Sequence, residues 1–126
     1  MNQVGGVKMN RINLIALGVR DMEKSLAFFR EIGFITKTTA KNAPIVFFNN
    51  EGSKLELFPL EELAKDINPD NPPALPQGGF SGLTLACNMK SREEVDVAMK
   101  KAQAAGATIA KEPQELIWGG YGGYFV

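Results

Sequence analysis

Histidine is absent from all 126 residues. Its absence removes the Ser-His and Cys-His arrangements on which nucleophilic catalysis usually rests, and the imidazole donors that zinc, nickel and iron favour. Cysteine is nearly absent as well. Cys87 stands alone, so no disulfide can form within the chain, which fits a reducing compartment and makes the cytoplasm the expected location. Neither sign of charge dominates: 14 Lys and Arg balance 14 Asp and Glu, and no basic run exceeds two residues. The electrostatic footprint of a nucleic-acid partner is therefore missing. No apolar stretch approaches the roughly 20 residues that span a bilayer, and residues 1–8 lack the apolar centre of a signal peptide. Neither membrane nor nucleic acid is an expected partner.

What is present is globular material, 44% hydrophobic and 22% charged, enough for the core of one domain. Residues 1–8 are set apart from the fold, because Met9-Asn10-Arg11 leads directly into an apolar run. Ile12 to Val19 is rich in Ile, Leu and Val and has the length of a strand. Asp21 then caps a helix on which Met22, Leu26, Phe29 and Gly33 fall at helical spacing, with Gly33 as its stop. Beyond it the period shortens to that of strands. Phe34 to Thr39, Pro44 to Asn49 and Ser53 to Phe58 read as strands, the last two joined by a turn at Asn49-Asn50-Glu51-Gly52. The first half is thus β-α-β-β-β.

Residues 59–79 hold five of the chain's seven prolines and read as a linker with one helical turn at Glu61 to Lys65. The earlier order then returns. Gly79 to Asn88 alternates Leu83, Leu85 and Cys87 with Gly82, Thr84 and Ala86. Ser91 and Glu94 have the spacing of a capping box, and Val95, Ala98 or Met99, Ala102 and Ala105 form the apolar stripe of a helix that ends at Gly106. Ala107 to Glu112 and Tyr121 to Val126 follow as strands around a Trp118-Gly119-Gly120 turn. The glycine-rich run from Gly119 to Gly123 has no following helix and no phosphate-loop Lys or Ser, so it reads as a turn. The expected fold is α+β: a single domain over 1–126, with one module at 11–58, a linker at 59–79 and a second module at 80–126 that lacks its last strand. An unfinished sheet exposes unpaired backbone groups. The expectation is that the chain continues past Val126 or that another segment covers this edge.

The stretch from Leu14 to Phe34, L-I-A-L-G-V-R-D-M-E-K-S-L-A-F-F-R-E-I-G-F, resembles the opening module of the vicinal oxygen chelate superfamily. That superfamily includes glyoxalase I, extradiol dioxygenases, fosfomycin-resistance enzymes and bleomycin-resistance proteins. The strand, the V-x-D cap, the S-x-x-F-F helix face and the G-F exit occur in order. Trp118 to Val126 is similar to the segment that there leads into a final strand, and the resemblance covers Arg11 to Val126. It implies two tandem β-α-β-β-β modules whose mixed sheet curls around a cavity, usually completed by dimerisation, so that a homodimer is expected. It also implies where a metal would sit: on the first strand of each module, commonly histidine, and on the last, commonly glutamate. These positions fall on Leu14, on Gly82 and on Glu56, of which only Glu56 can ligate, while the fourth lies beyond Val126. By resemblance, then, the chain is a bleomycin-resistance-like protein that binds a small amphipathic molecule with no metal or other cofactor. The alternative is a lyase, isomerase or dioxygenase of glyoxalase type that uses a divalent metal. A structural or partner-binding relative with a filled cavity fits the same residues.

Strand parity selects the candidate ligand-binding residues. Ile15, Leu17 and Val19 suit a helix-packed face and leave Leu14, Ala16 and Gly18 opposite. Leu55 and Leu57 turned to the helix put Lys54, Glu56 and Phe58 on the cavity side. In the second copy Gly82 and Thr84 take the cavity side, and Cys87 becomes a small buried hydrophobe. The full set is Leu14, Phe48, Glu56, Phe58, Gly82, Thr84, Trp118 and Tyr124, with only one of Phe47 and Phe48 able to face the cavity. Glu56 has two readings, a rim carboxylate in water or an interior one that receives a cationic or hydroxyl-bearing ligand. Trp118, Tyr121 and Tyr124 read either as core and turn packing or as a stacking wall for a planar ligand.

Overall fold

The computed structural model describes residues 6–39 and 42–126, so residues 1–5 of the amino-terminal stretch set apart above lie outside it. Three strands make the first sheet: β1 (Leu14–Val19), β2 (Val46–Phe47) and β3 (Lys54–Pro59), in the order β1-β3-β2. β3 lies parallel to β1, with Ala16 opposite Glu56, and antiparallel to β2, with Val46 opposite Leu57 and Phe47 opposite Glu56. A parallel pair needs a crossover, and α1 (Met22–Ile32) provides it. Asp21 Oδ1 accepts the Lys24 N–H at 3.0 Å, and Gly33, at a φ of 116°, donates its N–H to the Arg30 carbonyl at 3.1 Å. The cap and the glycine stop therefore lie where the sequence puts them. The α1 residue Leu26 packs on Leu55, Leu57, Val46 and Phe48, with Ile15, Leu17 and Val19 around them. The rings of Phe29, Phe34 and Phe48 close the same core at centroid distances of 5.1, 5.4 and 5.6 Å.

Two expectations for the first half need correction. Phe34 to Thr39 runs beside β2 without joining a regular ladder: the Asn49 N–H reaches the Ile35 carbonyl at 2.7 Å, but the Phe47 carbonyl is taken by the Thr36 hydroxyl at 2.7 Å. A side-chain donor has displaced the backbone donor that a ladder would need. The linker, for its part, opens with a full helix, α2 (Leu60–Ile67), rather than a single turn. Pro59 sets the entry at a φ of −58°, Glu61 and Glu62 occupy the positive end of the helix dipole and Lys65 the negative end, and Ala64 is buried.

In the second half α3 (Arg92–Ala104) starts as read, with Ser91 Oγ accepting the Glu94 N–H at 3.1 Å; Glu94 in turn accepts the Lys90 N–H at 2.9 Å. Met99 and Ala102 face inward from this helix. β4 (Ile109–Glu115) and β5 (Tyr121–Phe125) form an antiparallel two-stranded sheet around the expected turn. The helices α1 and α3 pack together, and Phe28 meets Phe125 at 6.0 Å, so the two sheets are bridged through them.

The strand expected over Gly79 to Asn88 does not form. β1 is held in the first half by β3, but among the described residues no segment takes that place beside 80–90, which is exposed throughout and carries no ladder bond. An extended segment without a partner can satisfy its backbone only with water. Gly82 bends the chain at a φ of 85°, Leu83 and Leu85 are half exposed, and Cys87 is exposed rather than a buried hydrophobe. The architecture is α+β, and no helix among the described residues is long and apolar enough to cross a membrane.

Candidate functional site

The first sheet has one face packed on α1 and one turned away from it. The second face carries Leu14, Ala16 and Gly18 from β1, Phe47 from β2, and Lys54, Glu56 and Phe58 from β3, because alternate residues of a strand share a side. The helix α2 covers the Gly18 end. A Cβ at Gly18 would stand 2.7 Å from Leu60 Cδ1 and 3.2 Å from Leu63 Cδ2, so the missing side chain is what lets the helix settle there. Leu14, Ala16 and Phe47 remain exposed, whereas Glu56 in their midst is only 7% exposed.

Glu56 is buried without a partner. Among the described residues its carboxylate makes no hydrogen bond and no ion pair, and its neighbour Lys54 is drawn off to the Asn50 carbonyl and, at 3.4 Å, to Asn49 Oδ1. No fully buried side-chain oxygen or nitrogen among those residues lacks a partner, so the Glu56 oxygens keep a small opening to solvent while the stem is enclosed. No three of His, Cys, Asp and Glu converge among the described residues, and a single carboxylate beside hydrocarbon is a poor donor set for zinc or iron and a sparse one for magnesium.

Of the residues chosen from the sequence, Leu14, Glu56 and Phe58 share this face. Phe48 does not: it is 4% exposed inside the helix-packed core, and Phe47, opposite Glu56, takes the place assigned to it. Gly82 and Thr84 lie on the exposed irregular segment, since the strand meant to carry them has no sheet to join. Trp118, at the β4–β5 turn, is 78% exposed and lies over Gly120, and Tyr124 stands on β5 opposite Lys111; both belong to the other sheet. The contributions of Phe47 and of Leu60 and Leu63 on α2 escaped the sequence reading. The signal for Phe47 was the parity of β2 against β3, which needs the register across the turn.

The second sheet holds a polar cluster of its own. Tyr121 donates its hydroxyl to Asp96 Oδ1 at 2.7 Å, Arg92 lies 5.0 Å from the centre of the Tyr121 ring, and Arg92 pairs with Glu115 at 3.0 Å. The hydrogen bond to Asp96 holds the phenol above its ordinary value of 10.0, helped by desolvation and the Asp96 charge and opposed by Arg92. A phenol held protonated in this way contributes its stabilisation fully below pH 10 and loses it as the pH rises through the elevated value. In a tyrosinate absorbance titration the folded protein therefore shows a component above pH 10.0, and Tyr121→Phe removes it. A titration with no such component would refute the bond to Asp96. Two depressions lie elsewhere: one of about 620 Å³ between Arg20 and residues 74–78, where Arg20 is held by the Pro76 carbonyl at 2.6 Å, and one of about 260 Å³ between α3 and β4. Neither adjoins Glu56.

A parallel-paired mixed sheet with a helix on one face and a buried carboxylate on the other makes this an α+β protein. The chain belongs to the glyoxalase/bleomycin resistance protein/dioxygenase superfamily, whose family model matches residues 11–125. Its fold is similar to that of a glyoxalase-related enzyme from Fulvimarina pelagi, with 25% identity, a TM-score of 0.80, and coverage of 94% of this chain and 81% of the other. It is similar also to a glyoxalase/bleomycin resistance protein/dioxygenase from Nocardioides (22% identity, TM-score 0.71, 97% and 79% covered). A third likeness is to lactoylglutathione lyase from Agrobacterium tumefaciens (21% identity, TM-score 0.60, 90% and 83% covered). No curated protein matches in sequence.

Proposed function

We propose that this chain binds a small amphipathic molecule without the help of a metal. The ligand lies on the face formed by Leu14, Ala16, Phe47 and Glu56, in a cavity between the two modules of the chain, in a cytoplasmic homodimer. The observation that supports this reading is the donor set: one enclosed carboxylate on an apolar face, with no cluster of three His, Cys, Asp or Glu among the described residues. Such a face can hold and orient a molecule but has little to polarise a bond with. The partner copy is supported by apolar side chains left in water on the segment that finds no sheet to join, Phe80, Leu83 and Leu85.

Elemental analysis of protein prepared without chelator or histidine tag tests the metal-independent reading, and sedimentation equilibrium tests the dimer. The expected results are a negligible metal content and a dimeric mass. One transition-metal ion per chain would overturn the proposal in favour of a glyoxalase-type lyase, isomerase or dioxygenase, and a monomeric mass would remove the partner copy from the site.

A further inference from the structure

We propose that the ligand carries a cationic head, an ammonium or guanidinium on an apolar body, and that Glu56 receives it; this rests on the binding reading above and specifies its substrate class. The face is hydrocarbon at Leu14, Ala16 and Phe47, and its one enclosed ionic group is negative. A carboxylate enclosed to this degree is ordinarily answered by a cation or by several donors from the same chain. Here Lys54 is the cation best placed to answer it, two residues along the same strand and on the same face. Its ammonium is instead engaged by the Asn50 carbonyl and Asn49 Oδ1 at the β2–β3 turn, and no other ion pair reaches Glu56 among the described residues.

Glu56 thus has no ion-pair partner among the described residues, and its oxygens keep some contact with solvent. The register brings Phe47 directly opposite Glu56, so an aromatic ring that is 56% exposed stands beside the carboxylate. Carboxylate and ring favour the same guest: the first by charge and hydrogen bonding, the second by the attraction of an aromatic face for a cation. An anionic guest beside Glu56 would meet its repulsion. A neutral hydroxyl could bond to Glu56 but would leave its charge unanswered.

Three probes of one shape separate these cases: benzylammonium, benzyl alcohol and benzoate, titrated at neutral pH while the amide signals of Ala16, Phe47 and Glu56 are followed by NMR. Benzylammonium is expected to bind about tenfold more tightly than benzyl alcohol, and benzoate not at all. In Glu56→Gln the preference falls to about one while benzyl alcohol binding is retained. Added salt weakens benzylammonium alone in the unaltered protein, a readout that needs no variant. Equal binding of amine and alcohol, or a preference unchanged in Glu56→Gln, overturns the cationic assignment and leaves the binding site standing. If none of the probes perturbs these signals, the binding reading fails together with it.

Discussion

Truncating Leu57 to Ala lowers the unfolding free energy by about 3 kcal/mol. Leu57 has no exposed surface and sits on β3, the central strand of its sheet, opposite Leu17 on one side and Val46 on the other. Its side chain also meets the face of α1 through the cluster that includes Leu26 and Phe48. A cavity made there cannot be refilled cheaply, because a strand fixed by hydrogen bonds on both sides and a helix fixed at both ends have little freedom to collapse inward. Leu14 offers the contrast within the same sheet. It lies on the other face and is 47% exposed, so Leu14→Ala costs less than about 1 kcal/mol. Urea unfolding measures both, as a lower midpoint at unchanged slope. Similar losses at the two positions would mean that the sheet has no single packed side, and the assignment of the Leu14 face to a ligand would fall with it.

That two-sidedness was legible in the sequence because its signals are local. The cap at Asp21, the stop at Gly33 and the alternation of β1 and β3 each depend on a few neighbouring residues, and together they place Leu14, Glu56 and Phe58 on one face. What the sequence could not supply is pairing between distant segments. Phe47 and Phe48 are adjacent, and which of them faces Glu56 is set by the Phe48 N–H bonding to the Leu55 carbonyl at 3.0 Å and by Asn50 clasping the turn through Leu55 N–H at 2.9 Å. Likewise, Leu83 and Leu85 alternate as convincingly as Ile15 and Leu17, yet only β1 has a strand to lie against. Alternation states a readiness to pair; the ladder needs a partner. The bond from Tyr121 to Asp96 joins residues 25 apart in sequence, from a strand to a helix, and no spacing rule reaches that far. The short helix α2 was hidden for a related reason: its hold on the sheet is the seat of Leu60 over Gly18, a contact across the fold.

The neighbouring glycines of β5 respond in opposite directions to the same added methyl group. Gly123→Ala destabilises the protein by about 2 kcal/mol, while Gly122→Ala leaves stability unchanged or raises it by about 0.5 kcal/mol. The difference lies in what each would touch. A Cβ on Gly122 meets only Leu116 Cδ1, at an ordinary 3.6 Å, and the alanine stiffens the unfolded chain. A Cβ on Gly123 would stand 2.5 Å from the Lys111 carbonyl oxygen and 3.1 Å from the Pro113 nitrogen, with Met99 Cε at 3.0 Å. The first two are backbone atoms of β4, where the β4–β5 register slips between Ile109 and Lys111 and again between Lys111 and Gln114. Only Gly123 leaves room for that irregular stretch, and backbone cannot swing aside as a methionine end can. Thermal or urea unfolding of the two variants decides the matter. Equal effects would mean that β4 adjusts its course freely against β5, and a hairpin so loose could not hold Tyr121 in place for Asp96.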